Sequence, residues 1–349
     1  LSIIMLQAGM GLKLKYVLTS FNRAIIFTLA AFIASTFAIA SVSLLAMGWT
    51  LGESLLLGTI LAGTSGAIVI PLVKELNVSL KVKTMVTLEA AVTDVLNIAG
   101  AMAIMAIIAS GATDLKAAGI DVLKAFLISG ALGLVGGVIW LSVLKRAGQS
   151  FSYMITLAFM LLLFSISTLL VGMGGGAMAA LVFGLTMGNS GSLPGPIRKR
   201  LDYCCDPKII DFHDEISFFV RTFFFIYLGL VLSTIALSPI DILAGVVIFN
   251  VIVLGRLAVT GSLGRLLCKD RKDRTTLLFM LPRGLAAAVL ASLPLSLGVV
   301  GGEVGNMIGA ITAVVILLST CFASVGAYII EKHDDDSSNV PSDRSLEAY

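Results

Sequence analysis

The chain has 349 residues, of which 58% are hydrophobic and 13% are charged, and its formal net charge is +3. Soluble domains have roughly 45–50% apolar and about 25% charged residues, so this composition excludes a soluble globular protein and indicates a polytopic membrane protein. The chain begins with Leu, and its first stretch lacks the basic region and cleavage site of a signal peptide. We therefore expect a fragment that has lost its start.

Eleven apolar segments follow one another along the chain, and a membrane-crossing helix needs roughly 20 apolar residues. The first segment is short and looks truncated. Residues 331–349 are polar, and we predict that they form a disordered tail. The segments are 1–12, 23–47, 52–73, 84–110, 117–144, 151–170, 174–190, 215–236, 239–264, 275–297 and 303–330.

The basic residues fall almost entirely in alternate connections between these segments. Lys and Arg favour cytoplasmic loops, so the rich side is predicted to be cytoplasmic and the chain to end there. The poor side holds only Lys116 and Lys124. The rich side holds Lys13, Lys15, Arg23, Lys74, Lys81, Lys83, Lys145, Arg146, Arg198, Lys199, Arg200, Lys208, Arg265, Lys269, Arg271, Lys272 and Arg274.

Two apolar segments, 52–73 and 275–297, are interrupted near their middle. Pro removes a backbone donor and Gly permits unusual dihedral angles, and non-helical backbone survives at membrane depth only where it is buried or lines a cavity. A pair of such interruptions in matching positions of two halves points to the ion site of a secondary transporter. The residues predicted to break the helices are Gly63, Gly66, Pro71, Pro282 and Gly284.

Two carboxylates lie inside the apolar stretch LEAAVTDVLNIAG, at Glu89 and Asp94. Five residues separate them, which is about 140° around a helix axis, so they face different directions. Asp94 follows Thr93 and precedes Asn97 by one turn, and such oxygens can join a carboxylate in binding a hard cation. Burial favours the protonated carboxyl, which would let Asp94 exchange a proton for a cation. Arg283, always charged, is suited to neutralising Glu89.

Four short motifs occur in the order that marks one transporter family. Together they resemble the sodium/proton exchangers of the monovalent cation:proton antiporter superfamily, and the resemblance covers residues 1 to about 330. The motifs are the stretches Thr64–Gly66, Glu89–Asp94, Phe218–Phe225 and Leu281–Ala286.

This resemblance implies a fold of about thirteen helices with inverted repeats and two crossing broken helices, of which eleven spans are visible here. The membrane domain would comprise 1–330, with repeats at about 23–110 and 239–330 and linking helices at about 117–236. The family also implies a homodimer in the plasma membrane. We expect monovalent cations, protons and lipid as partners, no nucleic acid, no cofactor and no enzymatic activity.

The resemblance further implies that Asp94 alternately binds the proton and the cation, and that Glu89 pairs with Arg283. Arg221 and Arg256 are interpreted as structural or gating residues that pair with Asp214 or Glu215, or with carbonyl groups. His213 is expected to be a solvated loop residue. The predicted ion- and proton-binding set is Asp94, Thr93, Thr64, Ser65 and Asn97.

Five positions depart from the family pattern. Ser65 and Gly66 stand where the family has Asp and Pro, Thr93 where it has Asn or a second Asp, and Ala90 where it has Ser. Gln7 stands where an acidic residue often ends a helix. With one carboxylate at the membrane centre rather than a pair, one-for-one electroneutral exchange of Na⁺, Li⁺ or K⁺ is favoured.

Two other transport hypotheses stay open at this stage. A cation channel or uniporter on the same scaffold would pass current without proton coupling, and the departures leave room for an inactive regulatory relative. An intramembrane aspartyl protease needs two facing Asp residues, whereas Asp94 is the only Asp well inside a span. The four cysteines have neither a disulfide frame nor metal-ligand spacing, and free thiols are expected.

Overall fold

The fold is a bundle of helices, seen in a computed structural model that describes residues 2–110, 115–147, 152–171, 173–192, 207–234, 237–268 and 270–338. All regular structure in these ranges is helical. The helices are α1 (Ser2–Gly11), α2 (Leu14–Ala46), α3 (Leu51–Ala62), α4 (Gly66–Glu75), α5 (Leu80–Ser110), α6 (Leu115–Ala147), α7 (Ser152–Val171), α8 (Met173–Gly188), α9 (Pro207–Thr234), α10 (Pro239–Leu267), α11 (Arg271–Phe279), α12 (Leu285–Ser296) and α13 (Gly302–Ser338).

Each predicted apolar segment corresponds to a helix or to a pair of short helices. Seven stretches of the described residues are long and apolar enough to cross a membrane, and three shorter apolar helices accompany them; the count of eleven spans stays a prediction. The boundary at 330 was wrong, because α13 continues to Ser338. The rest of the predicted tail, the basic run 198–200 and the cysteines at 204 and 205 lie outside the described residues.

The two predicted interruptions are both present. The helix α3 ends at Ala62, the chain is extended at Gly63, and α4 begins at Gly66. In the second pair, α11 ends at Phe279 and α12 begins at Leu285. Each interruption leaves carbonyl groups at the end of the first half and N–H groups at the start of the second half without helical partners.

The two interruptions meet each other. The Ser65 N–H donates a hydrogen bond of 2.7 Å to the Pro282 carbonyl oxygen. A Cβ atom added at Gly284 would lie 2.4 Å from Ser65 Oγ, so only glycine allows this approach. The broken helices therefore cross at their breaks, as the sequence predicted, whereas the inverted symmetry of the two halves stays a prediction.

The helix α5 lies between two hydrophobic cores. One core joins its first half, up to Val95, to α1, α4 and α8. The other joins its second half, from Ile98 onwards, to α3, α10, α12 and α13. Asp94 and Asn97 thus sit where the two cores meet, opposite the first break.

Candidate ion-binding site

Asp94 faces the start of α4. Its side chain is buried, and its Oδ2 would be 3.4 Å from a Cβ atom added at Gly66, the first residue of that helix. The backbone N–H of Gly66 faces the carboxylate. Because unpaired N–H groups give a helix start a partial positive charge, the break supplies a favourable environment for ionised Asp94.

Asn97 brings a free oxygen to the same place. It lies one turn after Asp94, on the same face of α5, and it is buried. Its Oδ1 has no hydrogen-bond partner in the described part of the chain. A Cβ atom at Gly63 would be 2.2 Å from Asn97 Nδ2, so the amide fills space that the glycine leaves open. A buried oxygen without a donor is costly, and a cation held by Asp94 would satisfy it.

The hydroxyl groups of the predicted ligands Thr93 and Thr64 form hydrogen bonds within the protein. The Thr93 hydroxyl accepts from the Thr64 N–H at 3.0 Å and has the Ala90 and Thr64 carbonyls within 3.2 and 3.3 Å. The Thr64 hydroxyl donates to Glu89 Oε1 at 3.2 Å. Both side chains hold the break in position. The remaining candidate ligands are Asp94, Asn97 and Ser65, whose buried hydroxyl makes no capping hydrogen bond to α4.

Glu89 pairs with Arg256, and the predicted pair of Glu89 with Arg283 was wrong. Arg256 Nη2 donates to Glu89 Oε2 at 2.9 Å, and Nη1 donates to Oε1. Arg256 also donates to the carbonyls of Leu277 at 2.7 Å and Met280 at 3.1 Å. The bidentate pair is fully buried, and the two carbonyls belong to the end of α11, just before the second break.

Arg283 donates hydrogen bonds to the first break instead. Its Nη1 donates to the Gly63 carbonyl at 2.7 Å and to Thr64 Oγ1 at 3.3 Å, and its backbone N–H donates to Ser319 Oγ at 2.9 Å. The guanidinium therefore meets the carbonyl end of α3, where the helix dipole is negative. Each broken helix has an arginine at the end of its first half, and the first also has Asp94 at the start of its second half.

The comparison with known proteins identifies the family and the fold. The family model described as sodium/hydrogen exchanger, transmembrane, matches residues 1–329. The chain belongs to the sodium/hydrogen exchanger family. Two structures of the sodium proton antiporter MjNhaP1 from Methanocaldococcus jannaschii share its fold. The one at pH 8 is 20% identical, with 95% of this chain and 83% of that chain covered and a TM-score of 0.69. The electron-microscopy one is 19% identical, with 95% and 82% covered and a TM-score of 0.73.

Other residues of this exchanger lie away from the crossing. Arg221, Glu215 and His213 are on α9, which packs on α1 and α7. His213 is fully buried, with Nδ1 2.6 Å from the Ile209 carbonyl oxygen, so the expectation of a solvated loop histidine was wrong. The gating or structural role of Arg221 and Glu215 stays a prediction. The Cys268 and Cys321 thiols are free.

Two cavities open on opposite faces of the exchanger. One of about 160 Å³ lies between α1, α4 and α5, on the face that carries Lys13, Lys74 and Lys83, here called the lysine-rich face. The other, of about 670 Å³, is lined by the opposite end of α10 and by α12 and α13, and includes Asp241 and Glu303. The second halves of the two broken helices thus each line one cavity.

Proposed function

We propose that the protein is a secondary antiporter that exchanges a monovalent cation for a proton, with Asp94 as the exchanging group. One observation carries the proposal: a buried carboxylate faces a helix start at the crossing of two broken helices, next to an amide oxygen that has no hydrogen-bond partner among the described residues. Membership of the sodium/hydrogen exchanger family supports it. Na⁺ is the proposed cation, with Li⁺ or K⁺ as further substrates.

The exchange follows from competition for one carboxylate. Ionised Asp94 and the Asn97 oxygen hold the dehydrated cation, with Ser65 as a further hydroxyl ligand. A proton on Asp94 removes the charge that holds the cation, so loading one ion releases the other. The apparent cation affinity therefore falls as the pH falls.

The charges around the crossing support electroneutral exchange. Glu89 and Arg256 cancel as an ion pair, and the Arg283 guanidinium balances ionised Asp94. The four side chains of Glu89, Arg256, Arg283 and Asp94 then have no net charge. They gain one positive charge whether Asp94 binds a proton or a monovalent cation. The two loaded carriers then have the same charge, and a one-for-one cycle moves no net charge.

The two cavities support alternating access. A Cβ atom at Gly66 would be 3.0 Å from Met5 Cε, 3.3 Å from Ile70 Cδ1 and 3.4 Å from Asp94 Oδ2, so these three side chains converge there. Ile70 also lines the smaller cavity. Met5 and Ile70 are the proposed barrier between Asp94 and the lysine-rich face, which we assign to the cytoplasm of a plasma membrane protein because basic loops stay inside.

The decisive experiment is proton flux in proteoliposomes on addition of Na⁺, Li⁺ or K⁺ over a range of pH. Asp94→Asn should abolish the exchange while the protein stays folded. Asp211→Asn is the matched control, because Asp211 is exposed on α9, away from the crossing. Retained exchange in Asp94→Asn would end the assignment to this residue.

The same vesicles separate the antiporter from its rivals. When a sodium gradient is imposed, an antiporter moves protons in the direction opposite to sodium. A channel or uniporter passes a sodium current without moving protons. Wild-type protein that binds sodium but moves neither ion would be an inactive relative.

A further inference from the structure

The cavity on the lysine-rich face is lined by charges of one sign. Its ionisable lining residues are Lys13, Lys74 and Lys83, and none of the described residues that line it is acidic. They come from three places in the chain: the link between α1 and α2, the last turn of α4 and the first turn of α5. These three ammonium groups repel cations, so the cavity is suited to an anion instead.

One carboxylate lies near the lysines and does not balance them. Asp214 Oδ2 is 3.7 Å from Lys74 Nζ, and Asp214 Oδ1 accepts a hydrogen bond from Gln7 Nε2 at 2.6 Å. Both side chains of the ion pair are more than 40% exposed, so solvent screens their attraction. Three positive charges and one negative charge leave two positive charges at the cavity. An anion with one or two charges would neutralise this excess.

The lysines retain N–H groups for such an anion. Each ammonium group has three N–H donors. Lys83 Nζ uses one of them on the Lys74 carbonyl oxygen, at 2.8 Å, and Lys74 Nζ is beyond hydrogen-bond distance of Asp214. Lys13 is exposed and makes no hydrogen bond or ion pair within the described residues. All three side chains can therefore donate to a bound anion.

The anion is expected among the lysines rather than deeper in the cavity. The Thr84 and Thr87 hydroxyls, which also line it, donate to backbone carbonyls four residues back at 2.8 Å, so they have no hydrogen left for a ligand. The helix α5 begins at Leu80, another lining residue. The unpaired N–H groups of its first turn therefore add partial positive charge near Lys83.

A phosphate group fits these features. Lysine is a common phosphate ligand, phosphate binds at helix starts, and basic pockets between membrane helices on the cytoplasmic side bind anionic head groups. The cavity has a volume of about 160 Å³, whereas one water needs about 10–15 Å³, so a phosphate group has room. We propose that this cavity binds a phosphate group, from a soluble phosphate or a lipid head group, through Lys13, Lys74 and Lys83.

The bound anion would change the potential that a transported cation meets on its way to Asp94. This effect rests on the proposed antiport function. Ile70 lines the cavity and belongs to the proposed barrier in front of Asp94. Neutralising the excess positive charge raises the local concentration of cations. The apparent KM for Na⁺ on the lysine-rich face should therefore fall when phosphate is bound.

Binding can be measured on detergent-solubilised full-length protein in two arms. Inorganic phosphate should show ³¹P line broadening. Phosphatidylglycerol should raise the unfolding temperature more than phosphatidylcholine, whose head group carries a compensating positive charge. A response in one arm alone would assign the phosphate group to the soluble or to the lipid source. No response in either arm would overturn the site.

Substitutions locate the binding. Replacing the three lysines together, by Lys13→Gln, Lys74→Gln and Lys83→Gln, should abolish the response. The matched control removes three positive charges from exposed positions outside the cavity, by Arg265→Gln, Arg271→Gln and Lys332→Gln. Lys13→Gln alone breaks no polar contact within the described residues and should weaken phosphate binding about fivefold, so the test does not depend on how the triple variant folds. Unchanged binding in both cavity variants would refute the site.

Uptake of ²²Na⁺ into sided vesicles tests the effect on entry. At alkaline pH, where proton competition is weak, phosphate on the lysine-rich face should lower the apparent KM for Na⁺ several-fold relative to chloride at equal ionic strength. Phosphate on the opposite face should leave it unchanged. Equal effects from both faces, or none, would overturn the role in entry. Asp94→Asn should still bind phosphate, so failure of this site and failure of the exchange mechanism give different results.

Discussion

At the scale of residues, the site is organised by which charge meets which end of a broken helix. Arg283 meets the carbonyl end of α3, Arg256 meets the carbonyl end of α11, and Asp94 meets the N–H end of α4. Glu89 has no helix end of its own and pairs with Arg256. This assignment explains why the interior of the helix bundle tolerates four ionisable groups, since each is paired with an opposite charge or a helix dipole.

The Glu89–Arg256 pair is expected to be structural, and a double-variant cycle can test this. Glu89→Gln or Arg256→Gln alone leaves a buried unpaired charge, and we expect each to destabilise the protein by about 3–5 kcal/mol. The double variant should recover part of that loss, because neither charge remains. Unfolding in detergent titrations measures all three. If the loss of stability in the double variant equals the sum of the losses in the two single variants, the pair is not coupled.

Asn97 is expected to set the affinity for the cation. Asn97→Leu removes its oxygen and should raise the apparent KM for Na⁺ about fivefold, without abolishing exchange. Gly63→Ala should act in the same direction, because its Cβ would lie between 2.2 and 2.7 Å from the three amide atoms of Asn97 and must displace them. Sodium-dependent proton flux at fixed pH measures both. Wild-type affinity in Asn97→Leu would remove this residue from the ligand set.

At the scale of elements, the sequence predicted the helices and the breaks but not every contact between them. Hydropathy, Gly and Pro located each apolar segment and both interruptions, because these are local properties of the chain. The partner of Glu89 depended on whether Arg256 of α10 or Arg283 of the second break faces α5, and spacing along the chain carries no such information. Spacing along the chain also gave no sign of the contact that the Thr93 hydroxyl makes with the backbone of the first break, at Thr64.

The crossing of the two breaks depends on a missing side chain at Gly284. Gly284→Ala would put a Cβ atom 2.4 Å from Ser65 Oγ and 2.9 Å from Ser65 Cβ, so the helices must separate. We expect loss of exchange in proteoliposomes, and partial recovery when Ser65→Gly is added. The control is Gly255→Ala on α10, where no atom of the described residues lies within 4 Å of the new Cβ. Full activity in Gly284→Ala would mean that close contact of the breaks is unnecessary.

At the scale of the whole molecule, the helices pack in two different ways: by close backbone contact, or through polar bonds at the crossing of the broken helices. The helices α1 and α8 touch backbone to backbone: Cβ atoms at Gly9 and Gly184 would lie 2.1 Å from the Leu181 oxygen and 2.2 Å from the Leu6 oxygen. Such contact resists sliding. The crossing helices are held instead by a few polar bonds around buried charges. Any movement that exposes Asp94 to one face and then the other is therefore expected between these two groups of helices, along α5.

The balance of charge over this moving part predicts how the exchanger responds to voltage. The group of Glu89, Arg256, Arg283 and Asp94 is neutral when Asp94 is ionised and gains one positive charge with either a proton or Na⁺. Both loaded carriers would cross the same potential with the same charge, so the net work over one cycle is zero. Sodium-driven proton flux should therefore reach the same endpoint at zero and at an imposed potential of about 100 mV, a potential that shifts each uncompensated charge by about 2.3 kcal/mol. Ser65→Asp adds a carboxylate at the first break. The two loaded states then need not have equal charge, because the new acid can stay ionised in one of them and be protonated in the other. An endpoint that shifts with potential in the wild-type protein would mean that a second titrating group takes part in transport.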